Sequence, residues 1–170
     1  YIQKAIDEHL QNPDFAEPAG LYEPCKYILQ NGGKRVRASL VLMATKLFSG
    51  EFEKALPVAL AFETFHNFTL IHDDIMDKAS IRRGIPTVHV KWDENTAILS
   101  GDAVMIIAYR FFEESGEYVP QLFKLLNKTA LEVCQCLEQE LFSNFLNGQR
   151  VRGSITHHES RYQSCIRKSH

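Results

Sequence analysis

Apolar residues recur at helical spacing along most of the chain. Within the first eleven residues, Ile2, Ile6 and Leu10 fall on one face of a helix, and similar patterns follow downstream. Clusters of Asn, Gly, Pro and Ser separate these segments and mark turns. No segment alternates as a β-strand does. The sequence therefore predicts an all-α fold of six or seven helices, placed at about 1–11, 20–31, 34–48, 51–78, 93–112 and 120–146.

Three segments differ from ordinary amphipathic helices. Residues 51–78 are apolar on most sides, so we expect this helix at the centre of the fold. Residues 80–86 contain Gly84 and Pro86 and predict a loop. Residues 148–170 are basic, rich in Ser and His, and poorly periodic, which predicts a divergent, poorly ordered tail. We therefore expect one helical domain over 1–147 followed by this tail.

The composition and charge of the chain limit the class of protein to which it can belong. The 170 residues are 45% hydrophobic, which is enough for one globular domain with a core, and the formal net charge is −2. This charge gives no overall attraction to nucleic acid. The apolar runs are shorter than the roughly 20 residues of a membrane span, and no secretory leader is recognisable. Four cysteines without C-x-x-C spacing favour reduced thiols and a cytoplasmic location.

Three aspartates crowd the end of the predicted central helix. Asp73 and Asp77 are four residues apart, so their side chains leave one face with Cβ atoms about 5–6 Å from each other. Asp74 points elsewhere, and like charges at this spacing destabilise a bare helix. Two carboxylates on one face suit Mg²⁺, which takes one or two of them together with phosphates and water. A solvated acidic patch at a helix end is the alternative.

Two basic segments accompany the aspartates. Arg82 and Arg83 follow in the predicted loop, and the segment N-G-G-K-R-V-R places Lys34, Arg35 and Arg37 at the start of a helix. Arginine binds phosphate with two parallel hydrogen bonds, whereas cations are unfavourable at a helix N-terminus unless an anion is present. An ordinary basic helix start remains the alternative. A metal site and several phosphate-binding groups above an apolar bundle suggest an amphiphile with a diphosphate head and a hydrocarbon tail.

Several spaced motifs, in order, carry a resemblance to a family. They are G-G-K-R-x-R from Gly32, H-x-x-x-L-I-H-D-D-x-x-D from His66, R-R-G-x-P-T-V-H from Arg82 and G-D-A from Gly101. The chain closely resembles the trans-isoprenyl diphosphate synthases, or polyprenyl synthetases, over about residues 27–133. The resemblance implies an antiparallel all-α bundle around a deep central cavity, usually in a homodimer.

The resemblance also implies roles for particular residues. Asp73 and Asp77 would hold Mg²⁺ with support from Asp74, and Arg82 would bind the allylic prenyl diphosphate. The diphosphate of isopentenyl diphosphate would be bound by Lys34, Arg37, His66 and Arg83. The implied reaction is ionisation of the allylic carbon–oxygen bond, attack by the homoallylic double bond and loss of a proton. In this reading Asp73, Asp77 and Arg82 are the catalytic residues.

The residues just before the first aspartate determine product length in this family. Phe68 stands five positions before Asp73, with Thr69 after it and Phe65 about one turn earlier. A bulky ring at this position resembles a floor that stops elongation early, which implies geranylgeranyl or farnesyl diphosphate as product. The alternative is that both aromatic residues belong to the core.

The sequence also departs from the family pattern. Members are roughly twice as long and carry a second aspartate-rich motif, which this sequence lacks. The chain therefore resembles the N-terminal portion of such an enzyme. Two other readings stay open. One is a catalytically incomplete fragment or regulatory subunit that binds diphosphates and dimerises with a complete synthase. The other is a metal phosphohydrolase, for which His157-His158 is the one further candidate cluster.

Overall fold

A computed structural model describes residues 1–146 of the chain, and the predicted tail at 148–170 lies outside the described residues. This part is helical except for one short hairpin, which confirms the all-α prediction. The helices are α1 (Ile2–His9), α2 (Ala19–Gln30), α3 (Val36–Phe48), α4 (Leu56–Met76), α5 (Val88–Lys91), α6 (Glu94–Glu113) and α7 (Val119–Leu146). The hairpin strands are β1 (Ile81–Arg82) and β2 (Ile85–Pro86).

Two predictions of secondary structure need correction. The central helix begins at Leu56 rather than near residue 51, because a 3₁₀ turn (Phe52–Ala55) precedes it and Pro57 occupies the first helical turn. The predicted loop at 80–86 forms an antiparallel hairpin, in which Arg82 pairs with Ile85. Its two-residue turn, Arg83-Gly84, has φ of 53° and 81°. Positive φ at both turn residues matches the right-handed twist of paired strands.

The described residues divide into two units, of which the first is Tyr1–Val119 and the second begins at Pro120. Within the first unit, α4 packs against α1, α2, α3, α5 and α6, so the prediction of a central helix is confirmed. Helices α4 and α6 run antiparallel. Phe62 meets Phe112 at a ring-centroid distance of 5.3 Å, whereas later on α4 His72 Nε2 lies 3.6 Å from Asp102 Oδ1.

The buried face of α4 is not purely apolar. Leu60, Leu70 and Ile71 are buried there, but so are Glu63 and Asp74, which are 3% and 2% exposed. Buried carboxylates need a partner, because burying an unpaired charge costs several kcal/mol or shifts its ionisation. Each of these two carboxylates is paired with a buried arginine.

The cysteines differ from the expectation of four reduced thiols. Cys25 and Cys134 are free, whereas Cys136 is disulfide-bonded, so the expectation is wrong at that position. Burial raises the pKa of the Cys25 thiol to about 12. Across residues 1–146, none of the helices combines the length and apolar character that crossing a membrane requires.

Candidate functional site

The acidic cluster sits where α4 ends. Asp73 and Asp77 are both half-buried, and the backbone N–H of Asp77 donates to the Asp73 carbonyl at 2.8 Å as the helix closes. The C-terminus of a helix carries partial negative charge from its unpaired carbonyl groups. Carboxylates placed there add to that charge, so the position favours a bound cation.

Asp74 does not share this environment. Its two carboxylate oxygens accept hydrogen bonds from Nε and Nη2 of Arg82, each at 2.7 Å. Burial raises the pKa of Asp74, and the hydrogen bonds and charge of Arg82 oppose that rise. The two-bond geometry joins β1 to the last turn of α4. Asp74 is therefore placed to hold the hairpin rather than to face solvent beside Asp73 and Asp77.

The hairpin in turn contacts the first basic segment. Nη1 of Arg83 donates to the carbonyls of Asn31 (3.1 Å) and Gly32. The Arg83 guanidinium lies so close to Gly33 that a Cβ at this glycine would be 3.0 Å from Cζ. Gly33 also has φ of +145°, which L-residues rarely adopt. Two motifs about fifty positions apart in the sequence therefore meet at this glycine.

Positive charge is concentrated around His66 on α4. Partial burial lowers the pKa of His66 to about 3, and the charges of four arginines contribute: Arg37, then Arg83, Arg82 and Arg35. Like charges also act on Arg83, whose pKa is lowered first by burial and then by Arg35 and Arg82. Four guanidinium groups next to a neutral imidazole form a strong anion-attracting locus. Arg37 is exposed, as is Lys34 in the same basic segment.

Arg82 and Arg35 contribute to this locus differently from Arg37 and Arg83. Both are 7% exposed. Arg82 commits Nε and Nη2 to Asp74, so its influence on the site is through charge rather than through those two nitrogens. Arg35 is bonded to Glu63 and to backbone, as described below. The exposed Arg37 and Arg83 are the guanidinium groups placed to contact a ligand.

The donor set at the acidic end fits a magnesium ion. No group of three His, Cys, Asp or Glu side chains able to hold a metal is found within residues 1–146, and Asp74 is buried. Two carboxylates one helical turn apart are nevertheless what Mg²⁺ uses when phosphate oxygens and water complete its shell. Asp73 and Asp77 therefore suit a metal that is bound together with an anionic ligand.

The three predicted length-determining residues lie on one stretch of α4. Phe68 contacts Phe65 and His72 edge-on, with ring centroids 5.2 Å and 4.8 Å away. Thr69 donates its hydroxyl to the His66 carbonyl at 2.8 Å, so this side chain is satisfied within the helix. Phe65, Phe68 and Thr69 are half-buried. Phe68 is thus part of an aromatic row that leads towards Asp73.

Sequence reasoning missed two features that shape this region. Gly101, quoted only as part of a motif, lets His72 approach α6, because a Cβ there would lie 2.6 Å from Nε2. Glu63 went unnoticed inside an apolar helix, although a lone acid on a buried face is a signal that a cation is near. Its partner, Arg35, lies 28 positions earlier in the sequence, so no local spacing connects them.

Comparison with known proteins agrees with this geometry. The family model described as polyprenyl synthetase matches residues 18–168. The geranylgeranyl diphosphate synthase of Methanosarcina mazei is 41% identical over 138 residues, a match covering 79% of this chain and 42% of that protein. The short chain isoprenyl diphosphate synthase of Methanocaldococcus jannaschii is 41% identical, over 85% of this chain and 45% of the relative.

Solved structures give the same result. The geranylgeranyl pyrophosphate synthetase from the archaeon Geoglobus acetivorans superposes with a TM-score of 0.79 at 34% identity, over 98% of this chain and 52% of that one. The chain spans about half the length of the proteins it matches, or less. From its sequence motifs, its helical fold and these matches, we conclude that the chain belongs to the polyprenyl synthetase family.

Proposed function

We propose that the protein acts as a Mg²⁺-dependent prenyltransferase that condenses isopentenyl diphosphate with an allylic diphosphate. The observation that carries the proposal is the arginine locus around His66 on α4, together with the carboxylates of Asp73 at the end of that helix and of Asp77, which caps it. One diphosphate would be bound at the arginines and a second, through a metal, at the carboxylates. The printed names of the M. mazei and M. jannaschii relatives describe synthases of prenyl diphosphates, which agrees with this chemistry.

Different side chains would bind the diphosphates of the two substrates. Lys34, Arg37 and Arg83, with neutral His66 as a hydrogen-bond partner, would bind isopentenyl diphosphate. Asp73 and Asp77 would hold Mg²⁺, which supplies positive charge to the departing diphosphate of the allylic substrate. Arg82 adds charge to the same region while it stays bonded to Asp74. Fixed positive groups stabilise negative charge that develops in the transition state.

The proposed reaction balances without a further reactant. The allylic carbon–oxygen bond breaks, and its electron pair leaves with diphosphate. The double bond of isopentenyl diphosphate attacks the allylic carbon to form a carbon–carbon bond. A proton then passes from the adjacent carbon to the released diphosphate, so the product retains one diphosphate and gains one isoprenoid unit. An apolar wall protects the cation from water.

We propose a short product, geranylgeranyl or farnesyl diphosphate. The aromatic row of Phe65, Phe68 and His72 supports this proposal, because a ring held at both edges cannot easily move aside for a growing chain. In Phe68→Ala we expect longer products, resolved by carbon number after incubation with labelled substrate. An unchanged distribution would show that Phe68 is only a packing residue.

The direct test is turnover by the purified chain with labelled isopentenyl diphosphate, an allylic primer and Mg²⁺. A discrete short product supports the proposal, and Asp73→Ala should abolish it. Glu23→Gln removes an exposed carboxylate from α2 and serves as the matched control. If Asp73→Ala turned over as fast as Glu23→Gln, the proposed metal site would be wrong.

A second candidate is a catalytically incomplete or regulatory partner that binds diphosphates and dimerises with a complete synthase. The observation in its favour is that a relative 36% identical over 148 residues, from Geobacillus stearothermophilus, is named component 2 of a heptaprenyl diphosphate synthase. Retained diphosphate binding without product, together with product formation after addition of a full-length synthase, would support this candidate. The homodimer, the central cavity and the cytoplasmic location likewise remain proposals.

A further inference from the structure

Arg35 and Glu63 form a buried pair beneath the first basic segment. Nη1 of Arg35 lies 3.3 Å from Glu63 Oε1, and the residues are 7% and 3% exposed. Glu63 also accepts a hydrogen bond from the backbone N–H of Ala38 at 3.4 Å. The carboxylate thus contacts both the side chain that precedes α3 and the backbone of its first turn.

Two further elements, α1 and α2, also hold Arg35. Its Nη2 donates to the Leu29 carbonyl at 2.6 Å and to Gln3 Oε1 at 2.5 Å, and its Nε donates to the same Gln3 oxygen at 3.1 Å. The backbone of Arg35 is left-handed, with φ of 46°. A left-handed residue other than glycine is strained and persists only where surrounding contacts fix it.

This conformation determines which neighbours face solvent. The side chain of Arg35 is turned inward, while Lys34 and Arg37 on either side are exposed. Glu63 and His66 are three positions apart on α4, so they share one side of that helix. The charge of Arg37 is the largest of the arginine effects on His66. A contact that ties α3 to Glu63 therefore also sets where Arg37 stands relative to His66.

We propose that Glu63, acting through Arg35, is a positioning residue that holds Lys34 and Arg37 close to His66. In this way it sets the affinity for isopentenyl diphosphate, the diphosphate that is bound without a metal. The inference rests on the proposed function, since it concerns the site assigned there to isopentenyl diphosphate. It gives the buried pair a role in ligand binding as well as in stability.

The direction in which Glu63→Gln changes anion binding distinguishes a positioning role from simple charge balance. If Glu63 only offset the positive charge of the site, Glu63→Gln would tighten anion binding, because it removes a negative charge near the arginines. If Glu63 positions the segment, the same variant weakens binding although the site has become more positive. A displacement of about 1 Å can cost up to roughly a hundredfold where several groups must converge.

The experiment is calorimetric titration of the purified chain with inorganic pyrophosphate and with isopentenyl diphosphate, both without metal. We expect Glu63→Gln to weaken both by about tenfold. Glu63→Asp keeps the charge and should give a smaller loss, while Glu23→Gln should leave binding unchanged. Binding of Mn²⁺ in the presence of an allylic diphosphate, followed by paramagnetic resonance, should be the same in all three variants.

The outcomes separate the two proposals. If the unaltered chain binds neither ligand, the proposed function fails, and this inference fails with it. If the unaltered chain binds and Glu63→Gln binds equally or more tightly, the positioning role is wrong and the proposed function stands. If Glu63→Gln weakens the binding of Mn²⁺ with allylic diphosphate as much as the binding of pyrophosphate and isopentenyl diphosphate, the variant destabilises the fold in general. That result also overturns the positioning role.

Discussion

The two carboxylates buried on α4, Glu63 and Asp74, each meet an arginine, but the geometry of the two pairs differs. Asp74 receives two parallel bonds of 2.7 Å from Arg82, so each partner directs its hydrogen-bonding fork at the other. Glu63 makes one contact of 3.3 Å with Arg35, which divides its other bonds between Gln3 and Leu29. The first pair is a closed unit, whereas the second is one part of a wider network.

The difference indicates how each pair responds to loss of a partner. Without Asp74, both bonded nitrogens of Arg82 lose their acceptors inside the protein. Without Glu63, Arg35 still has a backbone carbonyl and a side-chain amide oxygen. Both pairs share one consequence for function, because each turns one arginine inward and leaves its neighbour, Arg83 or Arg37, exposed to a ligand.

The strongest test of the comparison is Asp74→Ala. Removing one member of a buried pair leaves an uncompensated charge, so we expect the free energy of unfolding to fall by about 3–5 kcal/mol. Denaturant titration followed by circular dichroism measures this. The exposed control Glu23→Gln should change it by less than about 0.5 kcal/mol. A loss as small as in the control would show that the pair does not hold the hairpin.

Glu63→Ala should cost less, at about 1–3 kcal/mol, the usual price of one unsatisfied buried group. Arg35 keeps its bonds to Gln3 and Leu29, which limits the loss. The same denaturant titration makes the two values directly comparable. If Glu63→Ala were the more damaging variant, the distinction between a closed pair and a shared arginine would be wrong.

Burial first, and then the charges of the arginines of both buried pairs and of Arg37 and Arg83, lower the pKa of His66 to about 3. The unfolded chain, with an ordinary pKa near 6.5, binds a proton between these values while the folded chain does not. Acidification from pH 6.5 towards 3 therefore favours unfolding, by at most about 1.4 kcal/mol per pH unit.

In His66→Gln we expect a shallower loss of stability with falling pH, measured by denaturant titration at pH 7 and pH 4.5. Proton NMR of the imidazole in the unaltered chain gives its pKa directly. A pKa close to 6.5 would mean that the arginines of the two regions do not converge on this side chain. The remaining pH dependence in the variant comes from other groups and serves as the baseline.

The smallest expected loss of stability concerns the contact between Gly33 in the basic segment and Arg83 in the hairpin. Gly33→Ala forces a side chain onto a backbone with φ of +145° and against the Arg83 guanidinium. We expect a loss of about 1 kcal/mol, because the incompatible φ costs more than the entropy that alanine saves in the unfolded chain. Gly20→Ala, at a helical glycine with open space around it, should stabilise slightly in the same denaturation assay.

The helices were predictable from sequence because their periodicity is strong, and most of their ends were marked by turn residues. The central helix was placed five residues too early, since Phe52–Ala55 continues the apolar pattern in 3₁₀ form. The hairpin was missed because its turn requires Arg83 to adopt positive φ, which residue preferences do not predict for arginine.

Local concentrations of charge could be located from the sequence, as at Asp73, Asp77 and Arg83, and their roles in a site stay predictions. The site was not predictable where two side chains meet from distant positions. Adjacent aspartates look alike in sequence, yet Asp74 alone is turned inward onto Arg82. Likewise Arg35 looks like Lys34 and Arg37, and only the buried acid on α4 distinguishes it. Pairing across the fold decides these roles, and composition and spacing do not encode it locally.

The reactivity of the Cys25 thiol reports on the separation of two helices. The Sγ of Cys25 lies 3.1 Å from the Leu21 carbonyl and 3.4 Å from the Ser100 carbonyl, so the thiol lies between α2 and α6, and its high pKa keeps it from forming thiolate. Alkylating reagents attack thiolates, so modification of Cys25 requires α2 to separate from α6. Exposed Cys134 reacts without such opening and sets the intrinsic rate. Pulsed alkylation, followed by peptide mass spectrometry, therefore measures the rate at which α2 separates from α6.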